Sequence, residues 1–326
     1  MRVLFIGGTG QISLPCVEEA VAAGHQVSVF NRGRSDEELP GSVATITGDM
    51  KDREAYRQLG GEHFDVVCQF MAFTPDQIAT DVETFSGKTG HYIFISSASV
   101  YQKPPHHYVI TEKTPAVNPY WPYSQDKIAC EELLRGQDTL AWTIVRPSHT
   151  VRNGLPATMN EGDNLGHRML AGKPVLVCGD GSTPWTLTRS VDFAVPFVGL
   201  FGKEAALGED FHITSDHAYT WNEIYNAIAA GLGVEAKIVH VPTDTLVRFH
   251  AEWAGPLLGD KTWTALFDNS KVKGVAGDFT TTEKIEDVVA EPVRHFKKRL
   301  AAQGPSPAQL DDLMDGIAAA QEALGR

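Results

Sequence analysis

Two side chains four residues apart, Tyr123 and Lys127, are of the types that can transfer a proton together. On a helix, residues at this spacing lie on one face, so the phenol and the ammonium would be neighbours. A positive charge favours the phenolate and lowers the pKa of a tyrosine from its usual value of about 10. A phenol adjusted in this way is an effective general acid or base near neutral pH. The alternative is an ordinary tyrosine and lysine on a helix surface.

The elements around this pair determine what it could act on. Tyr123 and Lys127 follow a proline-rich loop and begin a predicted helix that ends near Leu134. Upstream, the predicted strand His91–Ser96 leads directly into a hydroxyl-rich run that ends at Tyr101. A hydroxyl at a strand end could donate a hydrogen bond to a substrate carbonyl or alkoxide.

The chain begins with a pattern typical of a β-α-β unit. Arg2–Ile6 is a short apolar run, as in strands buried on both faces. The turn Gly7-Gly-Thr-Gly10 follows, then a predicted helix from Ile12 to Ala23 and a second strand from Gln26 to Phe30. A glycine turn of this kind brings backbone N–H groups and a helix N-terminus against a pyrophosphate. Tight turns need glycine for steric reasons alone, and Ser13 stands where a third small residue is expected.

The end of the second strand bears on which coenzyme would bind. An acidic residue there would accept a hydrogen bond from a ribose 2′-hydroxyl and favour NAD, but the sequence reads Asn31-Arg32-Gly33-Arg34. Asn31 can bond a hydroxyl or phosphate, and Arg32 or Arg34 could pair with a 2′-phosphate. We therefore expect NADP(H) to be favoured over NAD(H). The alternative is that both arginines are solvated loop charges.

Three more apolar segments, Val43–Thr47, Asp65–Phe70 and Trp142–Arg146, complete a series of strands that alternate with helical stretches. This alternation predicts an α/β fold, a Rossmann-like doubly wound parallel sheet. Ligands bind at the carboxyl ends of such strands, where Met71, Ala72 and Phe73 would lie. Asp49, after the third strand, could accept a hydrogen bond from an adenine amino group or could cap the next helix.

Composition limits the function classes. The chain has 326 residues, ordinary hydrophobicity and a net charge of −13, which argues against nucleic acid or anionic membrane as a partner. Its four cysteines are widely spaced in apolar settings, so buried thiols are expected. No run is long enough for a signal peptide or membrane helix, and we expect a cytoplasmic protein. The histidines lack ligand spacing, so no metal site is predicted.

Taken together, the motifs resemble the extended short-chain dehydrogenase/reductase family, of the NAD-dependent epimerase/dehydratase type, as an atypical member. The residues that carry the resemblance occur in family order over most of the first 215 residues or so. They are Gly7-Gly-Thr-Gly10, Gly48-Asp49, Ser96-Ser-Ala-Ser-Val-Tyr101, Tyr123-x-x-x-Lys127 and Val145-Arg-Pro147.

The resemblance implies roles for individual residues. Ser97 would hydrogen-bond the reacting oxygen, Tyr123 would move the proton, and Lys127 would hold the nicotinamide ribose and lower the tyrosine pKa. The predicted coenzyme contacts are Gly7, Thr9, Gly10, Gln11, Ile12, Asn31, Arg32, Asp49, Met50, Phe70, Met71, Ala72 and Pro147. The predicted substrate contacts are Phe73, Ser99, His149, Asn164, Trp185 and Arg189. For His149, a satisfied interior histidine is an equal alternative.

The second half departs from regular alternation. The resemblance implies a cofactor domain of residues 1–149 plus 186–214 and a smaller substrate domain of residues 150–185 plus 215–326, with substrate in the cleft between them. Thr220–Leu232 is a predicted helix with a capping box from Thr220 and Glu223. After a linker at Gly304–Pro307, an apolar stripe of Leu310, Leu313, Ile317 and Leu324 predicts a last helix that packs on the body or a second subunit.

The predicted activity is NAD(P)-dependent hydride transfer at a secondary alcohol or ketone, with a nucleotide sugar as the leading substrate. An epimerase, a dehydratase and a reductase all stay open, as does a non-nucleotide carbonyl substrate, because Trp185 and Arg189 do not match the nucleotide-binding pattern of sugar-nucleotide members. A non-catalytic dinucleotide sensor or RNA-associated protein is the competing class. Family analogy adds a possible homodimer.

Overall fold

The computed structural model describes residues 1–159, 162–304 and 310–324. Its main feature is a seven-stranded parallel sheet, built mostly from the first half of the chain. Its order is β12-β7-β5-β4-β1-β2-β3, which confirms the predicted fold class. These strands are β1 (Arg2–Ile6), β2 (Gln26–Asn31), β3 (Ala44–Thr47), β4 (Phe64–Gln69), β5 (Thr89–Ile95), β7 (Trp142–Pro147) and β12 (Glu209–Ile213). Short strands outside the sheet are β6 (Val109–Ile110), β8 (His149–Val151), β9 (Pro174–Cys178), β10 (Pro184–Trp185), β11 (Leu187–Arg189), β13 (Tyr219–Thr220), β14 (Lys237–Val241) and β15 (Leu266–Phe267).

Helices cover both faces of the sheet and build most of the second half. They are α1 (Ser13–Ala22), α2 (Arg53–Arg57), α3 (Pro75–Phe85), α4 (Pro122–Arg135), α5 (Asp163–Leu170), α6 (Ser190–Gly199), α7 (Trp221–Leu232), α8 (Thr243–Phe249), α9 (Ala254–Pro256), α10 (Ser270–Ala276), α11 (Ile285–Gln303) and α12 (Asp311–Leu324). A π-helical turn, Leu257–Lys261, follows α9. None of the described helices combines the length and hydrophobicity needed to cross a bilayer.

The sheet strands are apolar on both faces because each face carries its own core. In β1, Val3 and Phe5 pack in the cluster with α1 and α6, while Leu4 and Ile6 pack in the cluster with α2, α3 and α4. Alternate side chains of a strand point to opposite faces, so burial on both sides requires a continuous apolar run. The order of connection reverses between β1 and β4, and this switch point is where doubly wound sheets bind ligands.

A second core lies outside the sheet. β9, α5, α7 and α11 bury Trp221, Tyr225 and Phe296 among aliphatic side chains, and α12 adds Met314 and Ile317 to a neighbouring cluster. We propose that this core is the substrate domain of the predicted division. Val272 of α10 and Phe279 belong to the substrate domain in the predicted division, but in the structure they pack in the core of the sheet.

Helix α3 fills most of the link from Pro75 to His91 and begins with a capping box between Thr74 and Gln77. The predicted C-terminal stripe needs correction, because Leu310 and Leu324 are exposed, whereas Ile317 is buried as expected, together with Met314. Of the predicted linker, Gly304 is described and residues 305–307 lie outside the described residues. The four cysteines are buried thiols that form no disulfide bond with one another, as expected.

Candidate active site

The glycine turn after β1 needs glycine at position 7 for both its backbone conformation and its packing. Gly7 has φ +83°, and a Cβ atom built on it would lie 2.3 Å from Met71 Cγ at the end of β4. The Gly10 N–H donates to Ser13 Oγ at 2.9 Å, so the serine in place of a third glycine stabilises the turn. The first turn of α1 carries no acidic side chain that would compete with an anion. These features fit a dinucleotide pyrophosphate at the helix N-terminus.

Gln11 ties the glycine turn to the second half of the chain. Its amide donates to the Thr150 carbonyl, and its carbonyl accepts from the Gly154 N–H at 3.2 Å. Thr9 and Ile12, the other predicted contacts here, are partly buried beside it. The segment after β8 is therefore held across the turn in which the coenzyme is expected.

The residues predicted on the adenosine side meet at the ends of β2 and β3. The Gly48 N–H donates to the Asn31 carbonyl at 2.9 Å, which places Asp49 beside Asn31. The Asn31 side-chain oxygen accepts from the Gly33 N–H at 2.9 Å, whereas Arg32 is exposed. Asp49 accepts from the Lys51 N–H, and Asp52, not Asp49, caps α2. Met50 packs partly against the adjoining core.

Lys127 is buried behind the candidate site, with 2% of its surface exposed. Its ammonium donates to the carbonyls of Ala72 at 2.7 Å and Ile95 at 2.8 Å, which end β4 and β5. The rings of Phe73 and Phe94 each lie 4.7 Å from the same nitrogen. Burial lowers the pKa of Lys127 to about 8, because carbonyl dipoles and aromatic faces replace only part of its hydration.

The pKa of Tyr123 is shifted in the direction opposite to the expected one. Burial raises it, and a hydrogen bond with Ser97 offsets only part of that rise. The Lys127 ammonium lies 6.0 Å from the Tyr123 ring centroid and directs its donors to backbone carbonyls. The expectation that the lysine lowers the tyrosine pKa is therefore wrong for this structure. Tyr123 is a neutral phenol near pH 7 and thus a proton donor.

A chain of hydroxyls connects the end of β5 to α4. Ser97 Oγ lies 2.9 Å from Ser99 Oγ, and Ser124 Oγ donates to Ser99 Oγ at 2.8 Å. Ser96 instead donates to the buried carboxylate of Glu131 at 2.6 Å. Successive side chains at the end of β5 point in opposite directions. Ser96 therefore contacts Glu131, a structural role, whereas Ser97 is the hydroxyl that contacts Tyr123.

A cavity of about 240 Å³ brings several predicted residues together with others that were not predicted. The predicted residues on its wall are Ser97, Ser99, Tyr123, Pro147, His149 and Trp185. Sequence reasoning missed Lys103, Trp121, Thr186, Asp260, Lys261 and Phe267. Pro147 was predicted to contact coenzyme, and its place on this wall puts it beside the substrate candidates as well.

His149 and Trp185 form a fixed pair on this wall. Trp185 Nε1 donates to His149 Nδ1 at 3.1 Å, and Trp185 stacks on Trp221 with ring centroids 5.1 Å apart. An indole N–H can only donate, so the neutral imidazole carries its proton on Nε2. Burial and the charge of Lys261 lower the pKa of His149 to about 3. His149 is therefore uncharged and offers a hydrogen-bond donor.

Comparison with known proteins identifies the family. The family model described as NAD(P)H-binding matches residues 7–169, which is half of the chain. The chain belongs to this family. The matched segment contains the glycine turn, Ser97, Tyr123 and Lys127, and the resemblance to extended short-chain dehydrogenases/reductases of the epimerase/dehydratase type is confirmed.

This protein is similar to relatives that are described as having different functions. It is 27% identical, over its whole length and 93% of the relative, to 2′-dehydrokanamycin reductase of Streptomyces kanamyceticus. It is 31% identical over 73% of its length to the chloroplast stem-loop binding protein of 41 kDa b of Arabidopsis thaliana, of which it covers 65%. A UDP-glucose 4-epimerase structure from Thermotoga maritima matches with a TM-score of 0.73 and 18% identity, covering 92% of this chain and 100% of the other. The predicted class, an NAD(P)-dependent oxidoreductase or epimerase, is confirmed at this level.

Some predicted contacts of this family member lie away from the cavity. Arg189 donates to Thr282 at 3.2 Å and lies 3.8 Å from the Glu291 carboxylate, so it is directed to other protein groups. Asn164 is on α5 and is not on the cavity wall. Phe73 and Phe70 follow β4, where Phe73 lies 6.5 Å from the Tyr123 ring and Phe70 stacks on Phe5. The described residues hold no group of three or more His, Cys, Asp or Glu side chains that could bind a metal.

Proposed function

We propose that the protein is an NAD(P)-dependent oxidoreductase or epimerase that acts on a secondary alcohol or ketone, with Tyr123 as general acid and base. One observation carries this proposal. Tyr123 and Ser97 share the wall of one cavity, and Lys127 is fixed directly behind them at the ends of β4 and β5. An exposed helix surface would need neither the buried amine nor the adjacent hydroxyl.

The roles follow from the contacts of the site. A bound nicotinamide supplies or accepts the hydride. Ser97 donates a hydrogen bond to the reacting oxygen, which orients the carbonyl and stabilises negative charge on it. The Tyr123 phenol gives its proton to that oxygen during reduction and takes it back during oxidation. Lys127 holds the two strand ends in register with α4, so that phenol and hydroxyl face the same atom.

The substrate class we favour is a nucleotide sugar, as epimerase, dehydratase or reductase. The UDP-glucose of the Thermotoga epimerase supports this choice, and the Streptomyces reductase supports a carbonyl substrate without a nucleotide. A panel of nucleotide sugars and simple ketones with both coenzymes, followed by absorbance of the reduced nicotinamide, separates the options. Stoichiometric absorbance change indicates a dehydrogenase or reductase, whereas product without net change indicates an epimerase. If no substrate in this panel is converted with either coenzyme, the proposal is contradicted. The homodimer and the cytoplasmic location remain predictions.

The coenzyme preference rests on Arg32 and Arg34. Both are exposed at the end of β2, where the side-chain oxygen of Asn31 is engaged within its own turn. We expect the Arg32→Ala/Arg34→Ala variant to raise KM for NADP(H) about 10-fold or more, as loss of a charge-assisted hydrogen bond would. KM for NAD(H) should change little. Arg57→Ala, which removes a surface partner of Glu83, is the matched control. A wild-type enzyme with a large NAD(H) advantage would refute the preference.

The pH dependence of reduction should report Lys127. Because its pKa is lowered to about 8 while that of Tyr123 is raised, the lysine is the first of the two to lose its proton as pH increases. We expect kcat/KM for reduction to be level near neutral pH and to fall with an apparent pKa near 8. Steady-state kinetics over the pH range measure this, with circular dichroism as the check for folding. A profile that is flat well above that pKa contradicts the assignment.

A second candidate follows from the Arabidopsis relative, whose name describes stem-loop binding. A net charge of −13 opposes this function, because RNA binding depends on cationic contacts to phosphates. Gel-shift titration with a structured RNA at physiological salt tests it. Tight, saturable binding without any turnover would favour this candidate over the enzyme.

A further inference from the structure

Two buried ammonium groups stand on the wall of the candidate cavity. Lys103 is 4% exposed and Lys261 is 5% exposed, and both line the cavity that Ser97 and Tyr123 also line. In the parts of the chain that the structure describes, the Lys103 ammonium has no hydrogen-bond acceptor; burial lowers its pKa, and the charge of Asp260 offsets part of that effect. Lys261 has one, the Asp260 carboxylate at 3.5 Å. Lysine is seldom buried to this degree unless it is paired, and these two ammonium groups share a single carboxylate, Asp260.

The charges around the cavity do not cancel. Lys103 and Lys261 contribute two positive charges, Asp260 contributes one negative charge, and His149 is neutral because its pKa is lowered to about 3. Lys261 is flanked by the indoles of Trp121 and Trp185, with its nitrogen 5.8 and 5.9 Å from the ring centroids. Those faces hold the ammonium in place but supply no negative charge. The cavity therefore has an excess of positive charge in a poorly hydrated setting, where Coulomb attraction for an anion is strong.

The backbone beneath Lys261 is also unusual. Asp260 and Lys261 lie on the π-helical turn Leu257–Lys261, in which the Thr262 N–H donates to the Leu257 carbonyl at 3.0 Å. Turns of this type are rare and occur frequently at functional sites. This turn brings a carboxylate and an ammonium from the second half of the chain to the wall that carries Tyr123.

We propose that Lys103 and Lys261 bind an anionic group of the substrate, a phosphate or a carboxylate, so that the enzyme acts on an anionic hydroxy or carbonyl compound. This inference rests on the proposed function and specifies its substrate. A neutral ketone would leave the positive charges uncompensated. A polyamine sugar of the kanamycin type would be repelled by them, so we expect this protein to differ in substrate from its Streptomyces relative.

The size of the cavity favours a small occupant. Its volume of about 240 Å³ is below the range of roughly 300–1,000 Å³ for pockets that enclose drug-sized ligands. A monosaccharide-sized group with one anionic substituent suits such a volume. The anion can come from a sugar phosphate, a sugar acid or the diphosphate of a nucleotide sugar, and these sources are separate arms of the experiment.

The test compares Lys103→Met and Lys261→Met with the exposed-site control Lys113→Met. Binding of inorganic phosphate, a hexose phosphate, a sugar acid, UDP and kanamycin is measured by calorimetry without any turnover. For the wild type and the control we expect measurable binding of at least one anionic probe and no binding of kanamycin. In each Met variant that affinity should fall at least 10-fold. Lys→Arg variants, which retain the charge, should recover part of it and show that the loss does not reflect misfolding.

Kinetics then distinguish the failure of this inference from failure of the proposed function. With an anionic substrate that turns over, each Met variant should raise KM about 10-fold or more with a smaller change in kcat. Tyr123-dependent turnover of neutral substrates, with KM unchanged in the Met variants, would overturn the anion site and leave the enzyme assignment intact. Anion binding that the Met variants abolish, without turnover of any substrate, would support the anion site and refute the proposed activity. Equal anion binding by the wild type and both Met variants would also overturn the inference.

Discussion

Replacing Tyr123 with phenylalanine should lower kcat by about 10²–10⁴-fold, which is the usual contribution of a positioned general acid or base. The change deletes one oxygen and keeps the ring that contacts Phe73 and Trp121. Coenzyme affinity and the free energy of unfolding should therefore stay close to the wild-type values. Because the phenol is the proton donor near pH 7, water would have to reach the reacting oxygen to replace it. Single-turnover kinetics with reduced coenzyme measure the chemical step directly.

Tyr120→Phe is the matched control, since Tyr120 is an exposed tyrosine three residues earlier. It should leave kcat unchanged. Ser97→Ala should act in the same direction as Tyr123→Phe, because it removes the hydroxyl that hydrogen-bonds both the phenol and, in our proposal, the substrate oxygen. Undiminished turnover by Tyr123→Phe would contradict the assignment of the proton donor, whatever the variant binds.

The sheet could be predicted because its strands have a strong local signal. A strand covered on both faces must be apolar throughout, and β1 was predicted with the bounds that the structure has. Helix α3 has a weaker signal. It buries Ile78, Thr80, Asp81, Thr84 and Phe85, so polar side chains interrupt the apolar stripe. Asp81 can be buried because Tyr56, Tyr92 and Gln69 all donate hydrogen bonds to its carboxylate. These donors come from other parts of the chain, so only the tertiary structure shows them.

The candidate site shows the same division between local and long-range information. Four-residue spacing placed Tyr123 and Lys127 on one face, and the structure keeps them there. The spacing gave no information on burial, which decides the sign of the Tyr123 pKa shift. Lys103 and Lys261 are far apart in the chain and reach one cavity only through tertiary folding. Nothing in the sequence near either lysine shows that its charge is buried, so this half of the site could not be predicted.

Replacing Glu131 with glutamine should destabilise the fold by about 3 kcal/mol, the low end of the range for breaking a buried ion pair. Glu131 is fully buried and accepts from Arg146 Nε at 2.9 Å and Nη2 at 2.6 Å, as well as from Ser96. Arg146 is 2% exposed, so the substitution leaves a buried guanidinium with less compensation. The loss stays at the low end because Asp210 still pairs with Arg146 at 2.7 Å. Urea unfolding at neutral pH measures the difference.

The exposed neighbour supplies the control, and pH supplies an independent check. Glu132→Gln changes the same charge on the solvent side of α4 and should be nearly neutral. Although burial alone would raise the pKa of Glu131, its hydrogen bonds and ion pair with Arg146 lower it overall. A carboxylate with a lowered folded-state pKa contributes stability above its unfolded pKa and loses that contribution as pH falls through the folded value. The stability difference between wild type and Glu131→Gln should therefore shrink in acid. A difference in unfolding free energy that does not change with pH would contradict this prediction. It would show that packing, rather than the charge of Glu131, holds the helix that carries Tyr123 against Ser96 and the end of β7.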